Sequence, residues 1–265
     1  MFDERTLSPP LPTVREQYAP NATVLDVESD FDTLPPAVAE DLGLLADSID
    51  PASYPDAWVP ETAPTPLQQF AGDAFTIGMP DDGTVVWTHQ TDPPTVLLKQ
   101  RAESTPDEFL SFLVAEAFVQ LDCDLPEHFL PFFGDTYPDL DDAVGLGGSE
   151  VYQIAAALFE GWVGLQTRDV FASWADDAEF DALHAAWLDA GERLEPRLDD
   201  LSRAVAHDEM TFAAATEYAC SAIKHDLDIP TPFGALDTTA YREHGPEYAV
   251  EWAEKTFSEL RDSDD

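Results

Sequence analysis

AFTIGMPDDGTVVWTHQTDPPTVLLKQRAESTPDEFLSFLVAEAFVQL, residues 74–121, decides the fold. Three runs within it, 74–79 (AFTIGM), 84–89 (TVVWTH) and 95–101 (TVLLKQR), are rich in β-branched and aromatic side chains, the residues that suit a pleated, half-buried surface. Pro80, Asp81, Asp82 and Gly83 punctuate the first gap, and Asp92, Pro93 and Pro94 the second; these are turn formers. The reading is a small antiparallel β-meander over about 74–101. Helix follows at once. Thr105, Pro106, Asp107 and Glu108 supply an N-cap, a first-turn proline and the acid of a capping box, and 109–121 is apolar nearly all round, as in a buried central helix.

Upstream, half of the 22 prolines fall in the first 66 residues, which disfavours continuous helix or a central strand there. Residues 1–66 read as a Pro-rich extended arm packed on the domain. It holds one short helix over 36–49, where Val38, Leu42, Leu45 and Ile49 recur at helical spacing, and is anchored by Tyr54, Trp58 and Val59. Downstream the pattern is helical. Over 150–169, Val151, Ile154, Leu158, Trp162 and Leu165 share one face. Further helices are expected over 179–190, 194–206, 211–225 and 246–260. The fold class is α+β: a meander followed by a mainly α-helical part, with 67–261 as one globular domain and 262–265 as an acidic tail.

Charge dominates the composition. Fifty-four Asp and Glu face twelve Lys and Arg, a formal net charge of -42 on 265 residues. Excess like charge destabilises a compact state in dilute buffer, and concentrated salt removes that cost, since the Debye length falls to about 3 Å at 1 M. With Lys99, Lys224 and Lys255 as the only lysines, the composition resembles that of haloarchaeal cytoplasmic proteins, including families without an assigned activity. That resemblance implies a salt-adapted protein requiring high salt for stability. Independently of it, the chain has no Lys/Arg cluster to displace counterions from phosphate, so direct nucleic-acid binding and an anionic membrane surface are disfavoured. The acids are spread evenly rather than along one stripe, against nucleic-acid mimicry. At 44% apolar, with six Trp and sixteen Phe, the chain has ample material for a core, unlike a disordered acidic segment. The N-terminal residues show no basic stretch leading into an apolar run, and no stretch approaches eighteen apolar residues, so a cytoplasmic location is expected. Cys123 and Cys220 form neither a C-x-x-C pair nor a disulfide framework.

The informative polar residues are those that salt adaptation does not explain. Glu116 lies in the middle of the apolar helix with Gln120 one turn on, and a carboxylate there needs a partner. Lys99 or Arg101 is the natural one, and the pair reads either as a structural ion pair or, with Glu160 and Arg168, as a catalytic or ligand site. Asp122, Cys123, Asp124, Glu127 and His128 bring thiolate, imidazole and carboxylates within seven residues; Cys123 and His128 are the candidate metal ligands, although no second group has a recognisable spacing. Lys224, His225 and Asp226 end a helix, where cations complement the dipole. No G-x-S-x-G elbow or phosphate-binding glycine loop is present, and no cofactor is implied.

A meander followed by a helix with an internal Glu resembles the core of the zincin-like metalloproteases, whose helix carries H-E-x-x-H. Here 115–119 reads Ala115, Glu116, Ala117, Phe118, Val119, so only the Glu matches. The resemblance implies an inactive relative without zinc ligands. Three readings follow: a non-catalytic interaction or structural module, with a protein partner; a hydrolase or ligand-binding enzyme around Glu116, Lys99 and Arg101; and the inactive zincin relative.

Overall fold

The computed structural model describes residues 2–34, 36–69, 77–80 and 82–264. In chain order the elements are β1 (Phe2–Glu4), α1 (Leu11–Tyr18), β2 (Thr23–Val27), α2 (Pro36–Leu42), β3 (Ser48–Ile49), α3 (Thr65–Gln68), β4 (Val85–Thr88), β5 (Thr91–Asp92), β6 (Thr95–Leu98), α4 (Asp107–Asp122), α5 (Phe129–Phe133), α6 (Tyr137–Val144), α7 (Gly148–Ser173), α8 (Asp181–Leu198), α9 (Leu201–Ala206), α10 (Phe212–Ile223) and α11 (Thr239–Asp264). The class is α+β with a mainly helical C-terminal part. Two compact units divide the chain: residues 1–54, 72–127 and 170–187 form the first, and 55–71, 128–169 and 188–265 the second.

The first unit is built on a mixed sheet of order β1-β2-β6-β4. β4 and β6 pair antiparallel, Val86 opposite Leu97, as the meander requires. The run expected to begin that meander falls on 74–76, outside the described residues, and Ile77, Gly78 and Met79 are not in a strand. The other neighbour of β6 is β2, which pairs with it in parallel, Leu25 opposite Leu97, and β1 extends the sheet antiparallel to β2. All four residues of β6 are buried, so β6 needs covered faces and a partner on each edge, and one local meander cannot supply both.

The expectation that the Pro-rich stretch lacks continuous helix or a central strand therefore fails. Pro12 and Pro66 occupy the first turns of α1 and α3, where the missing N–H costs nothing, and β2 contains no proline. The 36–49 helix stops at Leu42. Leu45 is exposed, and Ile49 lies in β3, paired with β5.

Alternation along the strands sends Leu25, Val27, Val86 and Leu97 to one face of the sheet, where they pack with Phe2, Leu34, Ala39 and Leu42. Trp87 points the other way, to α4, and its Nε1 donates to Gln120 Oε1 at 2.5 Å. α4 lies against β4 and β6, and α1 against α4. The helix is buried on every side, as its pattern requires: Phe112, Val114, Ala115, Phe118 and Val119 are each almost fully enclosed. The Phe112 ring meets Phe171 and Trp174 edge-on. The expected cap is not made, since α4 starts after Pro106 without a side-chain cap bond.

In the second unit α7 is wider in its burial than the predicted stripe. Val151, Ile154, Leu158 and Leu165 are buried, but so are Ala157 and Thr167 from the opposite side. Small residues on α7 admit α10 closely: a Cβ added at Gly161 would lie 3.1 Å from Cys220 Sγ, and one at Gly164 only 2.9 Å from the Lys224 backbone nitrogen. Phe132 clusters with Phe133, Phe159 and Trp162, and Tyr241 donates its hydroxyl to Leu158 O at 2.7 Å. α11 is broken at Gly245, whose φ of 48° and ψ of -116° lie in a region open to glycine. Among the described residues no helix is long and apolar enough to cross a membrane.

Candidate functional site

Lys99 follows β6 directly, its backbone N–H donating to Thr84 O at 3.0 Å. The chain then turns into a short 3-10 segment (Gln100–Ser104), so Arg101, within the run read as a strand over 95–101, lies beyond the end of β6. Lys99 is 1% exposed, with Nζ 4.8 Å from the centre of the Phe31 ring. Burial pushes the ammonium pKa down; Asp82, Asp32 and Asp30 pull it up, and the nearby Arg101 guanidinium pushes it further down. Arg101 Nη2 donates to the carbonyls of Asp82 and Gly83 at 2.6 and 3.2 Å, and its backbone N–H to Asp30 Oδ1 at 2.9 Å. Neither Lys99 Nζ nor Arg101 Nε has a hydrogen-bond partner among the described residues. The expected pairing of Lys99 with Glu116 is thus not formed. Glu116 itself is buried in α4, 6% exposed. Ala115 and Val119, at the positions where a zincin carries its histidines, are packed into the core.

A second polar centre in the same unit was not legible as one. The turn between β4 and β5 wraps the Glu127 carboxylate: Thr88 Oγ1 and the His89 N–H donate to Oε1 at 2.8 and 2.7 Å, and Gln90 Nε2 donates to Oε2 at 2.9 Å. Gln90 Oε1 in turn accepts the Ala52 N–H at 2.8 Å. Burial raises the Glu127 pKa, against the lowering effect of those three donors. The Tyr54 hydroxyl is pushed up by its own burial and by the Glu127 charge. The sequence offers Glu127 only as one acid among several, because its donors come from 37 to 39 residues away.

The remaining candidates sit in the second unit, except Cys123, which caps the C-terminal end of α4 in the first. Arg168 Nη1 donates to Asp237 Oδ1 at 2.7 Å and to Ile223 O at 3.2 Å, with Asp226 Oδ1 at 3.4 Å. Glu160 is exposed. His128 caps α5, its Nδ1 accepting from the Leu130 N–H at 3.3 Å, and burial lowers its pKa to about 3. Its ring is neutral and committed to the helix start. Lys224 is the C-cap of α10, as expected at a helix end. Among the described residues no three His, Cys, Asp or Glu side chains are grouped to hold a metal ion.

No curated protein and no solved structure matches the chain. The chain belongs to the family of unknown function DUF7089, whose model matches residues 1–260.

Proposed function

We propose that the protein is a non-catalytic, salt-adapted module of a cytoplasm rich in salt, acting through an interaction or structural role with a protein partner. The observation that carries this reading is how the scarce cations are used. Arg5 pairs with Asp26 at 2.6 Å, Arg168 with Asp237 at 2.7 Å, Arg193 with Asp189 at 2.5 Å, Arg203 with Asp200 at 3.1 Å and Arg242 with Asp169 at 2.9 Å. Cations committed to the chain's own acids leave an outward field made by the excess carboxylates. Such a field repels nucleic acid and anionic lipid, and concentrated salt keeps it compatible with a folded chain.

Affinity capture from native extract at molar salt, combined with the elution profile of the purified protein, tests the interaction role. A defined partner that co-elutes supports it; a monomer that retains nothing counts against it. A ligand-binding reading near Lys99 and Arg101 has one observation in its favour, two buried cationic atoms without acceptors among the described residues.

A further inference from the structure

Two cationic donors are orphaned within three residues of one another. Lys99 Nζ and Arg101 Nε are both buried and without a hydrogen-bond acceptor among the described residues, although an unpartnered buried charge is among the costliest arrangements in a protein. Carboxylates are not scarce, with 54 in the chain. Those that bear on Lys99 are directed elsewhere: Asp30 Oδ1 accepts the Arg101 N–H at 2.9 Å, and Asp82 Oδ2 accepts the Met79 N–H at 2.5 Å. Asp30 and Asp32 are also exposed to solvent. The Phe31 ring covers one side of the ammonium and attracts it through its π face without supplying a lone pair. Arg101 Nη2 is fixed on the Asp82 and Gly83 carbonyls, so the guanidinium cannot swing away to find an acceptor.

We propose that Lys99 Nζ and Arg101 Nε form a binding site for a small monovalent anion, of which chloride is the simplest. A bare halide accepts from both donors and brings no hydrogen that needs matching. This inference rests in part on the salt-adapted reading. At about 1 M ionic strength the screening length is ~3 Å, so the exposed Asp30 and Asp32 lose their hold on Lys99, whereas the buried cations are screened far less. The same salt that silences the rim carboxylates supplies the missing counter-charge.

The test uses the full chain and compares thermal unfolding in potassium chloride and in potassium gluconate at equal concentration, for the natural protein and for Lys99→Met. Gluconate, a six-carbon carboxylate, is far larger than a halide, and its general effect on stability acts on both proteins alike. The melting difference between the two salts should move toward chloride by roughly 3 °C in the natural protein relative to the variant; equal differences in both would overturn the site. Stabilisation by rising concentration of either salt belongs to the salt-adapted reading, so the two ideas fail separately. A second arm does not depend on the variant folding. Crystals of the natural protein soaked in bromide should show an anomalous peak within hydrogen-bond distance of Lys99 Nζ, and water density without anomalous signal there would overturn the proposal.

Discussion

Glu127 shows how much one carboxylate can organise. Its two oxygens take three donors from Thr88, His89 and Gln90, and Gln90 cannot turn its amide round without losing the Ala52 N–H. In Glu127→Gln the new amide must face either the Gln90 amide or the pair formed by Thr88 and His89, leaving donors opposed. We expect a loss of about 1–3 kcal/mol in chemical denaturation and faster amide exchange at Ala52; unchanged exchange at Ala52 would contradict the role given to this carboxylate. His128 carries a pH signature. Its folded value of about 3 lies below the ordinary 6.5, so between those values the unfolded chain binds a proton that the folded chain refuses. The stability it contributes is present above pH 6.5 and is lost as pH falls, at up to about 1.4 kcal/mol per pH unit. Asn can also cap α5 but does not titrate, so His128→Asn should flatten the fall in stability between pH 6.5 and 5 relative to the natural protein. Parallel pH profiles would show that His128 does not control it. Glu127 acts with the opposite sign: its raised value favours the folded state below the ordinary carboxylate pKa, and that contribution is lost as pH rises through the folded value.

Among the elements, α4 and the α7–α10 contact are the most sensitive to volume. Phe112 is 1% exposed and wedged against Phe171 and Trp174, so Phe112→Ala should cost about 3–5 kcal/mol. Gly164→Ala asks for the reverse adjustment. The added methyl would meet the Lys224 backbone at 2.9 to 3.0 Å, and backbone cannot step aside as a flexible side chain can, so a loss of about 1–3 kcal/mol is expected despite the better helix propensity of Ala. Equilibrium unfolding of both variants checks this, and a stabilised Gly164→Ala would mean that the helices have room to separate. The character of α4 is legible in sequence because an apolar run of helical length between clear boundaries has few other uses. The place of β2 is not, because a parallel pairing between residues 23–26 and 95–98 leaves no mark on either segment alone.

At the scale of the whole molecule the imbalance of 54 acids to 12 basic residues is the basis of the proposed salt adaptation. The melting temperature should climb steeply from dilute buffer to molar potassium chloride as repulsion is screened, and a salt-independent melting temperature would contradict the salt-adapted reading. By itself the sequence determined the fold class, the central buried helix, the β4–β6 hairpin and the scarcity of cations that makes Lys99, Arg101 and Arg168 worth tracking. Each of these rests on local periodicity, turn chemistry or composition, which a linear chain displays directly. Tertiary structure alone decided that the Pro-rich segment supplies two strands of the sheet, that Arg168 is bound to Asp237 from 69 residues away, that Glu127 is clasped by a distant turn, and that Lys99 meets Phe31 rather than Glu116. These depend on which segments burial brings together, and a contact between residues far apart in sequence carries no periodic signal in either one.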